Sequence, residues 1–315
     1  MSSLTRSECV EFLRCHDRFA ILTHRRPDGD TIGSSATLCR GLRQMGKTAH
    51  IIENAEITAR YRHLHEGLTK AWPEEGDILI SVDVASANML PDAFRALEKA
   101  ITLRIDHHGT AASFTELELV DPASASCGEI IYDLLTALGV RLDKAMAESL
   151  YTAVSTDTGC FRYANTTAHS FRTAAACAEA GGDLYAINQV LFDTNSFRKL
   201  KIQSWITEHT EFLAGGRIAV CALPKAVEEE IGADEDDLDG ISGFPRSIEG
   251  VKIAALLREI PGGAVKASLR AVPGCDAAAV CAQFGGGGHK GAAGCTLKMP
   301  LAEATEAIKA AMPEI

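Results

Sequence analysis

The sequence predicts an α/β protein built on a mostly parallel, doubly wound sheet, with a second, smaller α/β domain after it. Three observations predict this. Strand-like and helix-like segments alternate through the first half, and the strand segments are almost continuously apolar, as strands covered on both faces must be. Between residues 193 and 216 the pattern turns polar and partly basic, which marks a helical linker. A length of 315 residues leaves room for two domains, each with its own core.

The run Phe19-Ala-Ile-Leu-Thr-His24 is short, apolar and ends in polar residues, so it reads as a core strand. Residues 30–46 carry a helical pattern through Ile32, Leu38, Leu42 and Met45, with Gly46 as its C-cap. Strands are expected at 48–52, 77–83, 101–105 and 117–120. After Asp121-Pro122 come helices at 126–138, 143–154, 168–180 and 184–191. Residues 1–192 form the first domain on this reading and 217–315 the second. The second holds strands at 217–223, 251–260, 265–270 and 295–298, a glycine-rich loop and a closing helix at 301–312. The acidic run 228–239 reads as a solvated helix and turn; it lacks the ligand spacing of a calcium loop.

Composition narrows the function. With 46% apolar residues, 23% charged residues and no apolar run of 18, the chain reads as a soluble globular protein without a membrane span. A formal charge of −11 argues against coating long duplex nucleic acid, where phosphate neutralisation dominates affinity, but leaves short nucleotides open. Ten cysteines without a Cys-x-x-Cys pair read as reduced thiols, and the start of the chain lacks a signal-peptide pattern, so the cytoplasm is expected.

Ligand-type residues fall where strands are expected to end. In open α/β sheets ligands bind beyond the carboxyl ends of the strands. His24 ends one expected strand, Asp83 another, and Asp106-His107-His108 follows a third. Asp28 and Asp30 lie on a loop broken by Pro27 and Gly29, where they either form a turn and N-cap or point to different ions. Gly33 and Ser34 are expected in the first turn of the next helix, whose free N–H groups favour anions. Asp83 closes a buried strand and needs a partner, either an ion pair or a metal. Asp157 is a ligand or a turn residue. Two histidines and four carboxylates suit Mn²⁺, with Co²⁺ or Mg²⁺ as alternatives, better than a thiolate-preferring ion. Two such ions about 3.5–4 Å apart are a standard device for phosphoester hydrolysis.

At this point the chain resembles the DHH phosphoesterase superfamily. The resemblance rests on His24-x-x-x-Asp28-x-Asp30, Asp83, Asp106-His107-His108 and Asp157, together with Phe284-Gly-Gly-Gly-Gly-His289-Lys-Gly-Ala-Ala-Gly294, which is similar to the signature of the DHH-associated domain. It implies that His24, Asp28 and Asp83 hold one metal, and that Asp30, Asp83, His107 and Asp157 hold a second, with Asp83 shared. It also implies that Asp106 orients His107 and that His108 faces the scissile phosphate. Gly286, Gly287 and Gly288 leave N–H groups accessible to a phosphate or base, without the Gly-Lys-Ser/Thr ending of a Walker loop. The resemblance implies that Arg270, Ser268 and His289 hold the substrate's terminal phosphate or base. Arg258, Arg246 and Lys290 are further candidate cations.

Within the superfamily, two-domain chains of this length resemble the bifunctional oligoribonuclease and pAp phosphatase type. That implies release of mononucleotides from short RNA and of AMP from 3′-phosphoadenosine 5′-phosphate (pAp), with a metal-bearing domain and an end-binding domain facing across a cleft. A homodimer and the absence of membrane partners complete the expectation. A cyclic or linear dinucleotide phosphodiesterase, a RecJ-like single-strand exonuclease and a non-catalytic nucleotide sensor are the competing readings.

Overall fold

The computed structural model describes residues 2–109 and 113–315. The chain divides into two units, Met1–Thr194 and Asn195–Ile315.

The first unit opens with β1 (Ser2–Ser3) and α1 (Arg6–Cys15), the latter started by a capping box between Thr5 and Glu8. Then come β2 (Arg18–Leu22), α2 (Gly29–Gln44), β3 (Thr48–Ile52), β4 (Thr69–Lys70), β5 (Ile78–Val82), β6 (Ile101–Asp106) and β7 (Leu117–Val120). Four helices complete it: α3 (Cys127–Ala137), α4 (Lys144–Asp157), α5 (Ala168–Glu179) and α6 (Leu184–Asn188).

Its seven strands make one sheet in the order β1-β7-β6-β5-β2-β3-β4, and every pairing is parallel. Alternate residues of β2 explain the unbroken apolar run. Phe19 and Ile21 pack with Leu38 and Leu42 of α2 and Leu134 of α3, whereas Ala20 and Leu22 pack with Leu90, Phe94 and Leu97 on the opposite face. From β2 the chain runs outward to β3 and β4, then returns to place β5 on the other side of β2. The crevice past the ends of β2 and β5 is therefore the topological switch point, where such sheets bind ligands.

Helix α2 is set by two glycines. A Cβ on Gly33 would collide with the Ser149 carbonyl oxygen of α4, and one on Gly29 with the Thr156 side chain. Close approach of α2 to α4 brings Asp30, early in one helix, to Asp157, the last residue of the other. The expected anion role for Gly33 and Ser34 is thereby corrected. Asp28 is the N-cap and takes the N–H groups of Asp30 and Thr31, and the Ser34 hydroxyl donates to Asp30 (2.8 Å). Gly33→Ala is expected to lower unfolding stability by about 1–3 kcal/mol, because the new methyl meets backbone that cannot step aside. A lower urea midpoint at unchanged m-value measures it; an unchanged midpoint would overturn the packing argument.

The second unit begins with α7 (Phe197–His209), β8 (Glu211–Leu213) and β9 (Ile218–Leu223), continues through α8 (Lys225–Ile231), α9 (Glu235–Leu238), β10 (Ile253–Ile260) and β11 (Ala264–Ala271), and ends with α10 (Ala277–Ala282), β12 (Gly287–His289), β13 (Ala292–Leu297) and α11 (Leu301–Ala311). Its sheet is mixed, in the order β12-β13-β11-β10-β9-β8, with β9 and β10 parallel and the other pairs antiparallel. Val265 and Leu269 of β11 pack on one face against Val280 and Cys281 of α10 and Ile308 of α11.

Three local expectations change here. Helix α7 is not a free connector, because Ile202 and Ile206 are buried against Cys221, Leu223 and Leu256, and β8 joins the sheet. The acidic run is not wholly solvated: Glu228 is buried in a bidentate pair with Arg258 (2.6 and 3.1 Å), and buried Asp237 accepts from Arg198 (2.6 Å). Part of the glycine-rich loop is a strand, since Gly287, Gly288 and His289 pair with β13. Among the described residues no helix is long and apolar enough to cross a membrane.

Candidate metal centre

Five elements deliver donors to the switch point. His24 stands two residues past β2, Asp83 one past β5, and His107 one past β6, while Asp157 ends α4. Asp28 and Asp30 come from the start of α2. Asp83 adopts a left-handed backbone (φ 59°), a conformation aspartate tolerates better than most residues, and its N–H donates to the Ile105 carbonyl at 2.9 Å. That turn aims the carboxylate across the strand ends.

Each histidine is oriented through Nδ1. In His24 that atom lies 2.8 Å from the Arg25 carbonyl, and in His107 it lies 3.3 Å from the Ser124 carbonyl. Nε2 is left as the donor in both rings, an arrangement typical of metal-binding histidines. His24 Nε2 lies 3.5 Å from Asp28 Oδ1 and 3.7 Å from Asp83 Oδ2. His107 Nε2 lies 3.2 Å from Asp157 Oδ2, 3.5 Å from Asp83 Oδ1 and 3.8 Å from Asp30 Oδ2. Ligand atoms around one small divalent ion stand roughly 3 Å apart, so these spacings fit.

The donors form three overlapping groups: His24 with Asp28 and Asp83, Asp30 with His107 and Asp157, and Asp83 with His107 and His108. Asp83 turns one oxygen toward His24 and the other toward His107, and the latter, Oδ1, is buried without a hydrogen bond among the described residues. An orphaned buried carboxylate oxygen is costly unless a cation meets it.

Electrostatics point the same way. Burial, then the neighbouring charges of Asp83, Asp157 and Asp28, push the Asp30 carboxyl well above its ordinary range. Burial followed by Asp28 and Asp83 does the same to Asp157, and burial foremost raises Asp83. Burial would depress the His24 imidazole, but Asp28 and Asp83 together hold it well above its usual value. So many crowded carboxylates call for added positive charge. The residues fit a divalent cation with oxygen and imidazole ligands.

Asp106 departs from the expected role. It accepts the backbone N–H of His107 (2.8 Å), but the ring it holds is that of His108, with Nδ1 at 2.8 Å from Oδ1. This contact occupies Nδ1 of His108 and leaves Nε2 to face outward chemistry. Against the opposing effect of burial, the Asp106 hydrogen bond and the Asp83 charge push His108 up to about 9. Beneath Asp106 lies Arg104, only 2% exposed, with Nη2 3.0 Å from Asp106 Oδ2. Sequence reasoning passed over Arg104, Ser124 and Asn165, whose amide donates to the Asp157 carbonyl (3.1 Å) and the Ala125 carbonyl (3.0 Å). Arg104 left a signal: an arginine inside the apolar strand Ile101-Thr-Leu-Arg-Ile105 must be paired.

The second unit gathers its own set. Arg270 and His289 both lie opposite Ala292 of β13, from either side, and Ser268 and Gly287 both lie opposite Gly294. Directly opposed residues share a face, so Ser268, Arg270 and His289 stand on one side of the sheet around glycine positions that carry no side chain. Gly286 is required by close approach: a Cβ there would collide with the Gly294 carbonyl and Cys295. Gly288 has φ 138° and would strike the Ala292 carbonyl with a Cβ only 2.6 Å away. Of the other expected cations, Arg258 is corrected, being committed to Glu228; Lys290 is exposed and Arg246 half-buried.

Comparison with known proteins gives a consistent result. Residues 18–154 match the DHH family, N-terminal domain, and residues 215–314 match the DHHA1 domain. The bifunctional oligoribonuclease and PAP phosphatase NrnA of Thermus thermophilus is 35% identical over 298 residues, covering 93% of this chain and 89% of that protein. The Bacillus subtilis protein of the same name is 24% identical over 253 residues, covering 78% and 79%. Among solved structures, an exopolyphosphatase-related protein from Bacteroides fragilis superposes with a TM-score of 0.83 at 23% identity, covering 97% of this chain and 94% of the other, which shows the shared fold. With its two parts matched in order and a relative of that identity spanning nearly its whole length, the chain belongs to the DHH family and carries a DHHA1 domain.

Proposed function

We propose that this protein is a metal-dependent phosphoesterase that hydrolyses short oligoribonucleotides to mononucleotides and pAp to AMP. One observation carries the reading: three strand ends and two helix ends contribute donors to three overlapping groups, two of which share Asp83 and two of which share His107. The similarity to the Thermus thermophilus protein named for those two activities supports the choice of substrates.

In this reading His24, Asp28 and Asp83 hold one ion and Asp30, Asp83, His107 and Asp157 a second, with Mn²⁺ favoured by the mixed imidazole and carboxylate set over Mg²⁺ or Co²⁺. Ions held there would supply positive charge for the phosphoryl oxygens and would lower the pKa of a nearby water. His108, fixed through Nδ1 by Asp106, is left with Nε2 to hydrogen-bond the phosphate or the leaving oxygen. Ser268, Arg270, His289 and the N–H groups of Gly286, Gly287 and Gly288 receive the terminal phosphate or base. The net charge of −11 adds little affinity for long chains, which fits a preference for short ones. Ten free cysteines fit a reducing, cytoplasmic setting.

The test is a turnover panel with Mn²⁺, Mg²⁺ and Co²⁺ on pAp, pApA, cyclic di-AMP, short RNA and short DNA, followed by chromatography of the products. AMP release from pAp and mononucleotide release from short RNA is the expected result. Binding of these compounds without product would turn the reading into that of a sensor.

A further inference from the structure

We infer that Tyr163 is a stacking shelf for the nucleobase attached to the reacting phosphate, and that the turn after α4 exists to hold it there. The inference rests on the reading of the metal centre as a nucleotide phosphoesterase and adds to it the surface that meets the base.

The backbone after Asp157 is unusual. Gly159, Cys160 and Phe161 are left-handed in succession, at φ 56°, 56° and 62°. Two of the three carry side chains, for which this conformation is strained, and such strain persists only where surroundings enforce it. Here they do. Cys160 N–H donates to the Ser155 carbonyl (2.6 Å), and the N–H groups of Arg162 and Tyr163 both reach the Thr158 carbonyl (2.9 and 3.0 Å). Arg162 Nε donates to the Gly159 carbonyl (2.6 Å), with its guanidinium over the Phe192 ring. The Phe161 ring stacks on Phe171, with centroids 5.3 Å apart.

Within the turn itself, this rigidity presents the Tyr163 ring at the surface. Tyr163 lies so close over Gly159 that a Cβ on the glycine would collide with its ring carbons, yet the residue is 58% exposed. The ring is seated against the Gly159 backbone and leaves more than half of the residue to solvent. The turn is also anchored at both ends beside metal donors. It starts at Asp157, and Asn165 ties its end to the carbonyls of Asp157 and Ala125, next to the Ser124 that orients His107. A base hangs one ribose away from its phosphate, so a fixed aromatic ring at this position suits stacking. Stacking tolerates every base, as degradation of short RNA requires.

The test compares binding of AMP with ribose 5-phosphate in Mn²⁺ by calorimetry, using the full-length protein, so that turnover does not interfere. The wild type is expected to prefer AMP by about tenfold or more. Tyr163→Phe should keep that preference, whereas Tyr163→Ala should reduce it to near unity. Tyr163→Leu, which retains bulk over Gly159 without a π face, gives the same reading should the alanine variant unfold. An AMP preference that survives Tyr163→Leu, or is missing from the wild type, overturns the shelf. A preference lost in the variant of a protein that releases no AMP from pAp would instead leave the shelf standing and sink the proposed activity.

Discussion

Replacing Asp83 by asparagine is expected to lower turnover about a thousandfold or more, roughly 4 kcal/mol of transition-state stabilisation, while leaving the fold intact. Its two oxygens address different halves of the centre, one 3.7 Å from His24 Nε2 and the other 3.5 Å from His107 Nε2. No other donor reaches both histidines among the described contacts, so neutralising this carboxylate weakens both groups together. Asparagine is the informative substitution. It tolerates the left-handed backbone that residue 83 adopts, whereas alanine would add strain unrelated to metal binding. Stability without metal should not fall, because burial already disfavours the ionised Asp83 and Asp28 adds like charge. Calorimetric Mn²⁺ titration and thermal unfolding of the same sample separate the two effects. Near-native turnover, or tight Mn²⁺ binding at unchanged stoichiometry, would remove the shared-ligand role.

Much of this centre was legible before any coordinates, and the reason is topological. In a parallel sheet each strand delivers its carboxyl end to the same rim, so a histidine or aspartate just past an apolar run is already located in space. His24, Asp83 and His107 could be placed that way. Asp157 could not, because it ends a helix whose position depends on how closely α4 approaches α2. That approach rests on Gly29 and Gly33, which in the linear sequence look like turn and anion-binding glycines. Asp28 shows that two readings can hold together, since the oxygen capping α2 is the one facing His24.

Pairing was the harder problem. Arg258 looked like a cation free for a phosphate, and Glu228 like part of a solvated acidic face. They are 30 positions apart and meet only because α8 crosses over β10. Likewise α7 carries a polar, basic-looking sequence, and only its Ile202 and Ile206 stripe explains why it belongs to the second core. Charge patterns along a chain report how many ions there are; the fold decides which of them neutralise one another.

Arg104 makes the same point with the largest expected effect on stability. It is buried with Asp106, their nitrogen and oxygen 3.0 Å apart, and its other terminal nitrogen lies 3.4 Å from Glu118. Arg104→Met keeps most of the side-chain volume but leaves the buried Asp106 carboxylate with His108 as its one remaining cationic partner, a loss of about 3 kcal/mol, the low end for removing one partner of a buried pair. Arg104→Lys should recover part of this, because an ammonium carries the charge but cannot reproduce the planar fork toward two carboxylates. Urea midpoints measure the loss, and Arg104→Met combined with Asp106→Asn identifies its cause. An unpaired charge as the source requires the second substitution to restore much of the stability lost by the first, a coupling that lost packing alone would not show. Turnover should stay low in that double variant, because the asparagine restores neutrality beneath the centre but not the carboxylate that fixes His108 through Nδ1. Stability regained with turnover still absent would separate the two tasks of Asp106, and additive losses in stability would show that Arg104 acts through packing instead.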